Sequence, residues 1–246
     1  MKLSCQFVTL LLFVISAAIV SQNARAESSS KERVAIFAEL PDWSGIWEPA
    51  AQWSGGLNGR GDFKGPPPNG WIVDSENYRP QWLAQKQAEQ SASTPKPNRM
   101  ICSFGFPAVM NNLLMFEVLI TPEETAMIFS RREIRHIYTD GREQPPARDL
   151  WPTKWGSSVG HWEGEELVID TIAVADGMNP SKFSEQARFT ERVKMIGPDM
   201  LQAEIRVDDP VALKQPVSTT FRFSRVTDFD RMVHDDCLGN ERTLVE

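Results

Sequence analysis

From residue 113 onward the chain is a succession of short runs in which apolar and polar residues alternate, separated by brief turns. Leu201, Ala203, Ile205 and Val207 fall on one side of an extended backbone, and Gln202, Glu204 and Arg206 on the other. Val217, Thr219, Phe221 and Phe223 repeat the pattern against Ser218, Thr220, Arg222 and Ser224. A period of two with one apolar side is the pattern of a strand buried on one face. Turn signals at Thr121-Pro122-Glu123-Glu124, Asp140-Gly141, Glu163-Gly164-Glu165-Glu166, Gly197-Pro198-Asp199 and Thr227-Asp228-Phe229-Asp230 link the runs. Turns this short make consecutive strands pair antiparallel.

The predicted strands are 113–120, 125–130, 134–139, 156–162, 167–172, 187–196, 200–207, 217–226 and 231–235. An earlier one enters through Pro41-Asp42-Trp43-Ser44-Gly45-Ile46-Trp47. Four hairpins follow from the turns, the last joining 217–226 to 231–235. Nine or ten strands in a meander leave long unpaired edges unless the sheet curls or closes. The expected fold is therefore mainly β: an antiparallel up-and-down barrel, lipocalin- or avidin-like. A two-sheet sandwich is the alternative. There is no βαβ rhythm and no internal repeat. One helix is predicted in the N-terminal half, over 78–92, rich in Gln, Ala, Lys, Glu and Leu. Asn77 is its candidate N-cap, and Pro95 and Pro97 end it. Residues 54–70, with six glycines and three consecutive prolines, read as a loop.

The first residues belong to a different category. Lys2, an apolar run over 7–20, and Ala24-Arg25-Ala26 make the tripartite pattern of a secretory signal peptide over 1–26. Cys5 precedes the apolar run, so a lipoprotein anchor is not indicated. Residues 27–246 are then expected to be one domain, periplasmic or secreted, with no integral membrane segment. Removing 1–26 takes away Lys2 and Arg25 and no acid, so the net charge moves by two, from −7 to −9. An acidic chain without a basic stripe argues against a nucleic-acid partner. Cys102 and Cys237 remain. In an oxidising compartment they most simply form one disulfide, with two buried thiols as the alternative.

Two sets of residues could carry function. Tyr138, Asp140, Arg142, His161 and Asp170 are candidates for acid–base chemistry, because a barrel could gather them at one rim or in its lumen. Each also has a structural explanation; Asp140, for instance, is an ordinary residue before a turn glycine. Trp47, Trp151, Trp155 and Trp162, with His136, are candidates for lining a site for a small apolar or aromatic molecule, with core packing as the competing use. Gly156-Ser157-Ser158-Val159-Gly160 matches the nucleophile elbow, and Asp170 and His234 follow in triad order. That motif requires a strand–turn–helix, whereas a hairpin is expected here. His161-Trp162-Glu163 has the H-x-E of zinc deaminases but lacks their P-C-x-x-C partner. No cofactor motif and no metal-ligand spacing is present, so no metal is expected.

Several motifs together resemble a known family. They are Tyr138-Thr139-Asp140-Gly141-Arg142, then Ser158-Val159-Gly160-His161-Trp162-Glu163-Gly164-Glu165-Glu166-Leu167-Val168-Ile169-Asp170-Thr171. An opening Asp42-Trp43-Ser44-Gly45-Ile46-Trp47, a mid-chain Cys102-Ser103-Phe104-Gly105-Phe106-Pro107 and Thr190-Glu191-Arg192 accompany them. So do the Asp209-Pro210 turn and the segment from Cys237 to Arg242. The chain resembles a family of exported bacterial proteins of mostly unknown function, and the likeness spans most of residues 27–246. It implies a single exported domain and brings no agreed chemistry. Glu166 departs from the family's usual Thr at that turn position. Three functions are compatible with these observations. The first is an exported barrel that binds a small apolar or aromatic molecule. The second is a cofactor-independent lyase, isomerase or hydratase using His/Asp acid–base chemistry on such a molecule. The third is an envelope interaction protein without a small ligand.

Overall fold

A computed structural model describes residues 31–32, 34–50, 73, 75–92, 105–111, 114–130, 133–176, 183–228 and 231–232. The predicted signal peptide, the 54–70 loop, Cys102, Cys237 and His234 lie outside the described residues. The chain divides into a unit of residues 1–41 and a unit of residues 42–246. In the first, residues 34–37 are helical, and the Ala38 N–H donates to the Val34 carbonyl at 3.2 Å.

The second unit is mainly β. Its described residues form nine strands in one mostly antiparallel sheet that closes into a ring. They are β1 (Ile46–Pro49), β2 (Phe116–Ile120), β3 (Glu124–Phe129), β4 (Ile134–Tyr138), β5 (Ser157–Glu163), β6 (Glu166–Ile172), β7 (Arg188–Gly197), β8 (Met200–Asp208) and β9 (Val217–Arg225). The β2–β3, β5–β6 and β7–β8 hairpins fall where the turn residues place them. A bulge between Met195 and Gly197 marks the last of these turns.

Two connections depart from a simple meander. First, β4 and β5 run parallel and meet through one residue pair, Tyr138 opposite Val159. A parallel pair needs a crossover, and residues 139–156 provide it. Asp140-Gly141 therefore starts a long connection and does not close a hairpin. Second, the partner on the free edge of β9 is not the expected fourth-hairpin strand, most of which lies outside the described residues. The edge of β9 over Phe223–Arg225 is taken by β1, with Trp47 opposite Arg225 and Pro49 opposite Phe223. A strand over 231–235 would need that same edge, and Arg231 and Met232 lie in no strand. Through β1, which also pairs with β2 at Ile46 and Trp47, the ring closes.

The alternation sorts side chains as expected. Leu201, Ala203, Ile205, Val207, Phe221 and Phe223 are buried, and they join Phe116, Phe129, Phe189 and Trp47 in one interior cluster. Each such side chain is worth roughly 1.5–3 kcal/mol on burial. Aromatic rings fill much of one half: Phe116 meets Phe129 at 5.6 Å and Phe223 at 5.0 Å between centroids.

The predicted helix is present as α1 (Pro80–Ala92), preceded by a 3-10 turn over Ser75–Asn77. It starts two residues later than expected, with Pro80 in the first helical position, where its missing N–H costs nothing. Asn77 does not cap it. Its side-chain amide donates to the Gln215 carbonyl at 2.9 Å and accepts from the Gln215 N–H at 3.0 Å. Arg79 continues this clip through its N–H to the Ala212 carbonyl at 2.8 Å and its Nε to the Leu213 carbonyl at 2.9 Å. The clip brings Tyr78 and Trp82 into the same buried cluster as Ala212 and Leu213. Opposite it, the Asp209 carboxylate accepts from the Ser184 N–H at 2.6 Å, Ser184 Oγ at 2.8 Å and the N–H groups of Val211 and Ala212 at 3.0 and 2.9 Å. Four donors make that buried charge tolerable.

Candidate functional site

Strand parity decides which candidate residues face the interior. On β4, Arg135 and Ile137 are buried, while Ile134 and His136 are exposed and Tyr138 is half-buried. On β5, Ser158 points inward and His161 outward; on β6, Leu167, Ile169 and Thr171 point inward, and Asp170 lies on the other face.

The candidate acid–base residues consequently sit on the outer side of the sheet, in three separate ion clusters. His136 Nδ1 lies 2.9 Å from Glu124 Oε2, and its ring stacks on Tyr138 at 6.4 Å. Arg142 covers the other part of Tyr138 at 4.0 Å and grips Asp140 through Nε and a terminal nitrogen at 2.9 and 2.7 Å. The Arg142 guanidinium holds the Asp140 carboxyl below the usual carboxylate range. Asp170 is held by Arg188 at 2.6 and 2.9 Å, and Gln144 of the crossover donates to its backbone carbonyl at 2.9 Å. His161 lies 3.2 Å from Glu163, which shares Arg192 with Glu166. Hydrogen bonds from Arg192 pull both carboxyls down from their ordinary value, with His161 assisting at Glu163 and Lys194 at Glu166. No described contact joins His161, Asp170 and Asp140 to one another.

The tryptophans divide differently. Trp151 is 71% exposed in the crossover, and Trp155 stacks on Phe129 at 5.5 Å. Trp47 is fully buried, its N–H donating to the Trp43 carbonyl at 3.0 Å and its ring covered by Arg225 at 4.4 Å. Trp162 faces inward from the end of β5 and packs on Trp43 at 5.0 Å. Both of these indoles bury their Nε1 without a hydrogen-bond partner among the described residues.

Sequence reasoning missed the interior charge. Arg135 of β4 and Glu191 of β7 are both fully buried and bond end to end at 2.9 and 2.5 Å. Arg135 also donates to Thr171 Oγ1 at 2.9 Å and Ser158 Oγ at 3.3 Å, and these two hydroxyls are 2.8 Å apart. Phe106 lies on the guanidinium at 3.8 Å. The network thus spans β4, β5, β6 and β7, across the junction where the backbone ladder is reduced to one pair. Its signal was present in the sequence. Glu191 shares parity with Phe189, Val193 and Met195, and Arg135 with Ile137, so two opposite charges stand on apolar faces.

Ser158 belongs to this network and to no hydrolytic triad. A strand follows it where the elbow demands a helix, and Asp170 lies on the opposite face of the sheet. The flanking glycines have a packing role. A Cβ on Gly156, which has φ +68°, would sit 2.4 Å from the Ile172 carbonyl oxygen, and one on Gly160 would sit 3.0 Å from that of Val168. Among the described residues no three of His, Cys, Asp and Glu come together as a metal would require, and no helix is long and apolar enough to cross a membrane.

The geometry defines a closed β ring with an aromatic interior and one neutralised ion pair inside it. Comparison with protein-family models, curated proteins and solved structures gives no match for the chain.

Proposed function

We propose that the chain is an exported β-barrel, lipocalin- or avidin-like in architecture, whose interior binds a small apolar or aromatic molecule. The apolar run and small-residue site at the N-terminus support export, as does the motif resemblance. One observation carries the binding reading: the apolar interior holds polar side-chain atoms that nothing among the described residues satisfies. These are Nε1 of Trp43 and Trp162, Oγ1 of Thr125 and Nε of Arg135. An unmade buried hydrogen bond costs about 1–3 kcal/mol, so four of them weigh heavily against a total stability of about 5–15 kcal/mol. A bound molecule that completes them relieves that cost.

The direct test is a mass spectrum of small molecules released on denaturing the protein purified from its own host. Thermal melts against a panel of terpenoids, aromatics and fatty acids complement it. A released apolar compound near one per chain is expected, with a melting temperature raised by the same compound in excess. A clean spectrum together with melts indifferent to the whole panel refutes the reading and leaves an interaction protein without a small ligand.

A further inference from the structure

We infer that the molecule bound inside the ring is electrically neutral and carries an oxygen that accepts hydrogen bonds: a ketone, ester or lactone on an apolar or aromatic frame. This rests on the binding reading above and concerns only the chemistry of the ligand.

Among the described residues, three of the four unsatisfied interior side-chain atoms are of one kind. Indole Nε1 and guanidinium Nε carry hydrogens and no available lone pair, so they can only donate; the Thr125 hydroxyl can do either. Trp43, Trp162 and Arg135 therefore present three donors and no acceptor. Among the described side chains, the one orphan atom that can only accept, Gln144 Oε1, belongs to the crossover, where its amide nitrogen bonds the backbone carbonyls of Ser157 and Asp170. Water is a poor partner for such a lining. It could accept from the indoles, but its own two hydrogens would then need acceptors, and a buried water ordinarily makes about three hydrogen bonds. A carbonyl oxygen accepts two bonds and brings no donor.

Charge narrows the class further. Arg135 is already neutralised by Glu191, so this buried pair offers a ligand no net positive charge. A carboxylate entering there would be a buried anion without a counter-ion, which is far more costly than a neutral carbonyl. A bare hydrocarbon would fit the aromatic lining but leave the donors as they are. The pair Trp43–Trp162, with ring centroids 5.0 Å apart and both Nε1 atoms buried and unmatched, supplies the two indole donors that such an oxygen would satisfy.

The test compares three probes of nearly one shape, 2-acetylnaphthalene, 2-ethylnaphthalene and 2-naphthoate, by equilibrium dialysis against the full chain. The wild type and Trp162→Phe are run side by side, the latter keeping an aromatic ring without the N–H. The ketone should bind about tenfold more tightly than the hydrocarbon, the yield of one hydrogen bond of about 1.4 kcal/mol, and more tightly than the naphthoate. Trp162→Phe should remove the ketone's advantage, so that the ratio of ketone to hydrocarbon affinity falls from about tenfold to about one. Should that variant fail to fold by circular dichroism, Thr125→Val takes its place, with a smaller expected loss for the ketone alone. Equal binding of ketone and hydrocarbon overturns the acceptor inference while the binding reading stands. Tightest binding of the naphthoate overturns neutrality. Absence of binding by all three, with nothing released on denaturation, overturns the binding reading itself.

Discussion

Replacing Glu191 by Ala would leave the Arg135 guanidinium in a dry interior without its counter-ion. Arg135 would keep its hydrogen bonds to Thr171 at 2.9 Å and Ser158 at 3.3 Å, but neither hydroxyl carries charge. Breaking a buried pair from one side costs about 3–5 kcal/mol. For a domain of this size each kcal/mol moves the melting temperature by about 2–4 °C, so a fall of about 6–20 °C is expected. The double replacement Arg135→Met with Glu191→Leu removes both charges and substitutes apolar bulk. Ser158 and Thr171 still have each other at 2.8 Å, so no new orphan hydroxyl pair is created. Such exchanges are often neutral or stabilising, and the double variant should melt within a few degrees of wild type. Thermal and urea unfolding followed by circular dichroism measure both, and a cycle completed with the single variants Arg135→Met and Glu191→Leu gives the coupling directly. A Glu191→Ala loss below about 1 kcal/mol, or a double variant whose cost equals the sum of the two singles, would contradict a dry, mutually dependent pair.

Three further outcomes are expected. Burial, with the Asp209 charge adding to it, pushes the Tyr78 hydroxyl up to about 12. Between pH 10 and 12 the unfolded chain therefore releases that proton before the folded one, so stability falls as pH rises through this window. Tyr78→Phe should show a shallower decline in urea midpoint between pH 9.5 and 11.5, and equal slopes would exclude the linkage. Gly156→Ala should cost about 2–5 kcal/mol, from a left-handed backbone and a clash with the Ile172 carbonyl, whereas Gly141→Ala, with open space around it, should cost about 1 kcal/mol; melting temperatures rank the two. His161→Ala, on the solvent face beside Glu163, should shift stability by less than about 0.5 kcal/mol and leave ligand affinity intact. Catalytic turnover that collapses in this variant while affinity survives would instead favour the lyase, isomerase or hydratase reading.

The strands were legible because parity and turn chemistry agree locally. Glu163-Gly164-Glu165-Glu166 can hardly be anything but a hairpin turn, and Leu201 to Val207 can hardly bury the other face. The parallel junction was not legible, because Asp140-Gly141 carries a hairpin's local chemistry and only the sheet as a whole determines that β4 meets β5 side by side. The pairing of β1 with β9 was not legible for the same reason. Which strand takes the edge of β9 is a contest between β1 and residues 231–235, separated by most of the chain, and local pattern cannot decide it. For the site, His and Asp drew attention as titratable groups, yet parity puts His161 and Asp170 on the wet face. Trp162 was recognised and Trp43 was not, since a residue ahead of a strand has no parity to read. Arg135 and Glu191 were written into the pattern as charges on apolar faces, but they make sense only as a pair, and their strands are linked in space, not in sequence.

The solitary Tyr138–Val159 rung divides the wall into two plates, β2 to β4 and β5 to β9, with β1 as a narrow hinge on the far side. Opening such a wall along that joint sacrifices almost no backbone ladder; what resists it is side-chain contact, the guanidinium–carboxylate bolt together with the Phe129–Trp155 stack and the packed core. For the ligand proposed above, that joint is a sideways route to the interior which leaves both plates intact. Whatever loosens the bolt would set the rate of exchange between the interior and the surrounding water.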